Sequence, residues 1–185
     1  TLAMLMGALD SAAAPAIELR GLTKRYGSRR GIDDVTLDVA AGTLFGFIGP
    51  NGAGKSTVMR LMLGLIRPTA GSARLLGRDA LADGPRARLG VGYVPGESHF
   101  YDDLRIADVL AYLGSFHPGD HAARRAELVE LFAIETGARA GELSLGNLRK
   151  VAIAAALQHR PTLIVLDEPT NGLDPVMQSR LFEVL

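Results

Sequence analysis

Gly49-Pro50-Asn51-Gly52-Ala53-Gly54-Lys55-Ser56-Thr57 lies between the apolar run Leu44 to Ile48 and a segment of helical periodicity, in which Val58, Leu61, Met62 and Leu65 recur at i, i+3, i+4 and i+7. The order strand, glycine-rich loop, helix makes the stretch a phosphate-binding loop. Backbone N–H groups must turn inward around a multiply charged anion, and Gly49, Gly52 and Gly54 permit the positive φ angles and close approach that a Cβ would block. The first helical turn adds its N–H groups and its dipole. Lys55 supplies a mobile ammonium for the β- and γ-phosphates of a nucleotide, the Ser56 hydroxyl is placed to ligate Mg²⁺, and Thr57 can donate to the α-phosphate. The candidate binding set is the whole loop, Pro50, Asn51 and Ala53 included.

A second set of groups follows the run Leu163-Ile164-Val165-Leu166, which ends in Asp167-Glu168. An unbroken apolar run of this length reads as a parallel strand buried on both faces, with the carboxylates at its C-terminal end. Asp167 is expected to hold Mg²⁺ through a water. Side chains alternate along a strand, so Glu168 is left for a different task, that of general base on a water attacking the γ-phosphate.

Asp167-Glu168-Pro169-Thr170-Asn171-Gly172-Leu173-Asp174-Pro175 resembles the Walker B and D-loop segment of ABC-type ATPases, and Leu143-Ser144-Leu145-Gly146-Asn147 resembles their signature motif. The order of the motifs also matches, and the resemblance runs from Leu22 to the C-terminus. It implies an α/β fold of the P-loop NTPase type, with a mostly parallel core sheet, a small antiparallel β-layer and an inserted α-helical subdomain at about 97–158. It further implies an ATP-hydrolysing subunit with ATP and Mg²⁺ as cofactors, working as a dimer with a second ATP-binding domain, homo- or heteromeric. In that dimer Ser144, Gly146 and Asn147 would reach the nucleotide of the partner, Asp174 would lie at the D-loop interface, and Tyr26 occupies the place of the family's adenine-stacking aromatic. Ser144 is at the same time a natural N-cap for the helix containing Val151 and Ile153.

The resemblance has gaps. After Val91-Gly92-Tyr93-Val94-Pro95 the family carries a Gln, where this chain has Gly96 and Glu97. Either Glu97 takes part of that role or the metal keeps an extra water. Leu145 stands for a usual Gly and Asn147 for a usual Gln; Leu145 needs a negative φ, which leaves the Ser144 and Gly146 contacts open. The family's switch His would lie beyond Leu185, so the domain is expected to be incomplete at its C-terminus. His99, His117, His121 and His159 are not spaced as a metal site.

The chain has 185 residues, 20 basic against 20 acidic, and no Cys. That length suffices for one α/β domain with a sizeable core; the charge balance leaves no field for nucleic acid, and disulfides are excluded. No segment is long enough to span a membrane. The resemblance then implies a setting at the cytoplasmic face of the cell membrane, beside a separate integral membrane permease whose transport, in the direction of export, the subunit powers. The alternative is a soluble ABC-type ATPase acting on ribosome or DNA; a GTPase or kinase lacks its guanine-reading or acceptor-lid motif here. Residues 1–15, with the apolar stretch Leu2 to Leu9, are expected to form an N-terminal tail outside a domain at 16–185. Within that domain Ile17 and Leu19, then Val35, Leu37 and Val39, alternate with polar residues as half-buried antiparallel strands, and Ser72 to Leu76 forms another. Helices are expected from Ile106 and from Arg124, separated by His117-Pro118-Gly119-Asp120.

Overall fold

The computed structural model describes the backbone of residues 2–7, 14–27 and 29–185, with side chains for 14–27 and 31–185. Two compact units divide the chain, Thr1–Val91 with Thr162–Asp167, and Gly92–Pro161 with Glu168–Leu185.

The first unit holds two sheets. Strands β2 (Ile17–Tyr26) and β3 (Arg29–Val39) pair antiparallel, with Ile17 opposite Val39 and Leu19 opposite Leu37. β5 (Ala70–Leu75) and β6 (Arg78–Asp79) complete this layer in the order β3-β2-β5-β6. Alternation decides the faces: Ile17, Leu19, Val39, Ala73 and Leu75 are buried, whereas Asp38 and Thr36 point to solvent. The other sheet includes β1 (Leu2–Gly7), β4 (Leu44–Ile48) and β8 (Leu163–Asp167), with β1 between β4 and β8 and antiparallel to both. β4 and β8 consequently run in the same direction.

Part of the expected N-terminal tail, Leu2–Gly7, pairs with both of these strands. Leu2–Gly7 is a strand of the core sheet, because facing edges of β4 and β8 would otherwise carry unpaired N–H and C=O groups, and an apolar six-residue run meets both ladders at once. Thr1 and residues 8–13 lie outside the described residues.

Helix α1 (Lys55–Met62) packs on β2, β3, β5 and β8, burying Val58, Met59, Leu61 and Met62. Leu65 does not extend this stripe. The helix ends at Met62, Gly64 turns left-handed at φ 65°, and Leu65 is half exposed beyond it. A Cβ on Gly64 would stand 2.3 Å from the Ala80 carbonyl oxygen, so only glycine admits this stop.

In the second unit α2 (Ile106–Gly114) and α3 (Ala122–Leu131) pack on α4 (Leu145–Leu157), and α5 (Pro175–Val184) closes the chain. Ile106, Leu110, Leu128, Phe132, Val151 and Ile153 are wholly buried and form its core. Gln158 ties the three helices from within. Its Nε2 donates to the Leu110 carbonyl at 3.0 Å and its Oε1 accepts from Arg125 at 3.4 Å. Strand β7 (Val91–Val94) crosses the boundary between the units. Among the described residues no helix is long and apolar enough to cross a membrane.

Candidate nucleotide site and catalytic segment

The phosphate loop is built by the first unit alone. Ile48 at the end of β4 lies opposite Leu2, and Asp167 at the end of β8 lies opposite Ala3. Both strands therefore deliver their C-terminal ends to one edge of the sheet with a single strand between them, two ladder spacings or roughly 10 Å apart. α1 follows the loop that leaves this edge and packs on β8.

Within the loop, Gly52 and Gly54 are left-handed, at φ 79° and 88°. At Gly54 the requirement is also one of space, since a Cβ would approach Ile32 Cγ2 to 2.5 Å. Gly49 differs from expectation: its φ is not positive, and a Cβ there would only touch Ala53 at 3.4 Å. Lys55 is 7% exposed and its Nζ donates to the carbonyls of Gly49 at 2.7 Å and Pro50 at 2.8 Å. The ammonium is thus folded over the mouth of its own loop, held by two neutral acceptors that an anion can replace at small cost. Such a cation at a helix N-terminus is suited to polyanionic phosphate. Asp167 is buried at 4% exposure. The Asp167 carboxylate on β8 and the Ser56 hydroxyl on the first turn of α1, the helix packed on that strand, are hard oxygen donors of the kind that suits Mg²⁺ shared with a phosphate ligand.

Tyr26 ends β2 with its ring half exposed. The Lys24 ammonium stands 5.2 Å from the ring centroid, and the ring edge lies where a Cβ on Gly31 would come within 3.0 Å. A side chain at position 31 would therefore crowd the ring.

In the second unit Glu168 differs from the alternating strand residue that was expected. β8 stops at Asp167, and Glu168 adopts φ 51°, a left-handed conformation that costs a non-glycine residue about 1–3 kcal/mol. Strand alternation therefore does not separate the two carboxylates; a backbone turn does. Three donors hold it. Asn171 Nδ2 donates to the Glu168 carboxylate, Asn171 N donates to the Glu168 carbonyl at 3.1 Å, and Arg149 Nη2 donates to the same carbonyl at 2.7 Å. A charge-assisted bond of the last kind is worth about 1.5–3 kcal/mol, enough to balance the strain. Arg149 Nη1 also donates to the Pro95 carbonyl and, at 3.3 Å, to that of Gly96.

Ser144 is the N-cap of α4, its Oγ accepting from Asn147 N at 3.3 Å. Gly146 lies against the segment that follows Glu168, where a Cβ would come within 2.6 Å of the Gly172 carbonyl oxygen. Asp174 caps α5, its carboxylate accepting from Val176 N and Met177 N, both at 3.0 Å. Leu145 is helical and 80% exposed. Glu97 is exposed and paired with His99 at 3.5 Å.

Two features escaped sequence reasoning. Arg149 lies on the buried stripe of α4 with Ala152, Ile153 and Ala156, and a charge on such a stripe was the available signal. His117, His121 and His159 are brought together as well: His117 and His159 stack at 3.5 Å between centroids and 11° between planes, with His121 edge-on at 6.4 Å. Parallel rings cannot aim their nitrogens at one ion, and among the described residues no His, Asp or Glu group is arranged to hold a metal.

The fold and the loop define an α/β protein of the P-loop NTPase class. The chain belongs to the ABC transporter family, whose model matches residues 32–171. It is 38% identical over 183 residues to the Nod factor export ATP-binding protein I of Mesorhizobium japonicum, covering 95% of this chain and 53% of that protein. It is 37% identical over 163 residues to the bacitracin transport ATP-binding protein BcrA of Bacillus licheniformis, covering 86% and 53%. The chain thus spans about half the length of these curated relatives. Among solved structures, an ATP-binding subunit of an ABC transporter superposes with TM-score 0.79 at 28% identity, covering 91% of this chain and 72% of that one. A bacterial Atm1-family ABC exporter with ATP bound gives 0.77 at 26%, covering 97% and 33%. These superpositions establish the P-loop NTPase fold class.

Proposed function

We propose that the chain is the ATP-binding and ATP-hydrolysing part of a transporter, acting with Mg²⁺ and powering substrate export through a separate integral membrane permease. The observation that carries the proposal is the buried Lys55 ammonium on the Gly49 and Pro50 carbonyls, at the sheet edge where Asp167 ends β8. An ATP triphosphate would take the place of those two carbonyls at Lys55 and accept N–H groups from the first turn of α1. Ser56 and Asp167 would hold Mg²⁺, which neutralises charge on the β- and γ-phosphates when bound. Glu168 takes a proton from the attacking water, whose oxygen forms the new bond to the γ-phosphorus as the bond to the ADP oxygen breaks. Tyr26 stacks on the adenine.

Ser144, Gly146 and Asn147 at the start of α4 face the nucleotide of a second ATP-binding domain, and Asp174 lies at the same dimer contact. Support comes from the geometry of that helix start, whose N-cap and close glycine leave Leu145 and the cap exposed as a surface with free backbone polarity. The names of the relatives, which speak of Nod factor export and bacitracin transport, support a transport role. The exposed aromatics Tyr112 and Phe116, edge to face at 4.9 Å on α2 and the turn after it, are apolar surface of the sort a permease contact would cover.

Calorimetry with Mg-ATP and turnover by Glu168→Gln test the reading together. The variant is expected to bind ATP as the parent does while losing hydrolysis by about 100-fold or more. Normal turnover in that variant would remove Glu168 from its role.

A further inference from the structure

We propose that Arg149 is a positioning residue for hydrolysis, holding the backbone of Glu168 in its left-handed turn and linking it to the start of α4. The inference rests on the reading of Glu168 as general base. Arg149 is 4% exposed, and its planar fork reaches carbonyls in two separate segments. One is Pro95–Gly96, directly after β7, and the other is Glu168, directly after β8. No ammonium offers that geometry, because a point cation on a flexible stem lacks the fixed spread of Nη1 and Nη2.

The link to α4 has a second point of attachment. Gly146, one helical turn before Arg149, abuts the Gly172 carbonyl, so the first two turns of α4 engage the segment Glu168–Gly172 at both of its ends. Asn171 completes the clamp by donating both to the carboxylate and to the carbonyl of Glu168. A displacement of the α4 N-terminus, where Ser144 is exposed, therefore moves the Glu168 carbonyl through a rigid helix and a rigid guanidinium. The general base is in this way sensitive to what occupies the Ser144 surface.

The test uses Arg149→Lys and Arg149→Ala in the full-length protein, each alone and combined with Glu168→Gln, with ATP affinity, kcat and melting temperature measured for all. Arg149→Lys keeps charge and most of the volume, so it reports even if Arg149→Ala does not fold. The expected result is a kcat about 10- to 100-fold lower with ATP Kd changed by less than about twofold, as for a displaced rather than deleted catalytic group. In the Glu168→Gln background the same substitution should leave the residual rate almost unchanged, because the group it positions is gone. Wild-type kcat in Arg149→Lys, equal losses in both backgrounds, or an ATP Kd that rises in step with the loss of kcat would each overturn the proposal. Full turnover by Glu168→Gln alone would instead overturn the assignment of the base.

Discussion

The loop Gly49–Thr57 and the segment Glu168–Asp174 each follow an apolar five-residue strand, yet they are held in different ways. The loop is organised by its own backbone. Its glycines set the turn, its lysine closes on carbonyls five and six positions away, and the helix it opens supplies the dipole. The second segment starts from a strained glutamate and depends on an arginine 19 positions upstream on another helix. A site made from short-range contacts is carried by composition and spacing, whereas one made from a long-range contact depends on packing. The strands themselves differ too: β8 is buried almost throughout, while Leu44 and Ile48 of β4 are 62% and 78% exposed.

This contrast can be broken by experiment. Glu168→Gln should give the largest effect, a fall in kcat of about 100- to 10,000-fold with Mg-ATP affinity retained in a binding titration. Equal loss of binding and turnover would mean that the two segments are not separable in function. Lys55→Ala comes next. Removing the loop's ammonium should weaken ATP binding by about 2–5 kcal/mol, or roughly 30-fold or more, measured by calorimetry. An unchanged Kd would show that the backbone cradle suffices without the lysine.

Gly54→Ala tests whether the loop is built from backbone alone. A left-handed alanine whose Cβ meets Ile32 at 2.5 Å should lower stability by about 1–3 kcal/mol, read as a melting shift of a few degrees, even without nucleotide. A variant as stable as the parent would mean that the loop relaxes freely. Tyr26→Ala is the mildest, with ATP binding about fivefold weaker from the loss of about 1 kcal/mol of ring stacking. Competition with GTP sharpens the result, since stacking alone discriminates poorly between purines.

Much of this was legible in the order of residues. The β2 and β3 alternation, the Ser144 cap and the loop itself depend on neighbours within a few positions, and they appear where periodicity and turn chemistry place them. The strand at Leu2–Gly7 was not legible, because an apolar run of six residues has no periodicity that tells a tail from a central strand. Only the two empty ladders beside it decide the matter. Gly49 was assigned a positive φ because all loop glycines look alike in sequence, although its neighbours ask nothing of it.

By itself, then, the amino-acid order determined the phosphate loop, its strand and helix, the capped helices and the acidic pair, since each follows from local sterics and hydrogen bonding. Tertiary structure alone decided that Glu168 leaves the strand through a left-handed turn, that Arg149 is the buried cation holding it, and that His117 stacks on the distant His159. The reason is that these arrangements form only when segments far apart along the chain are packed against one another, and no local preference encodes which carbonyl a buried guanidinium will meet.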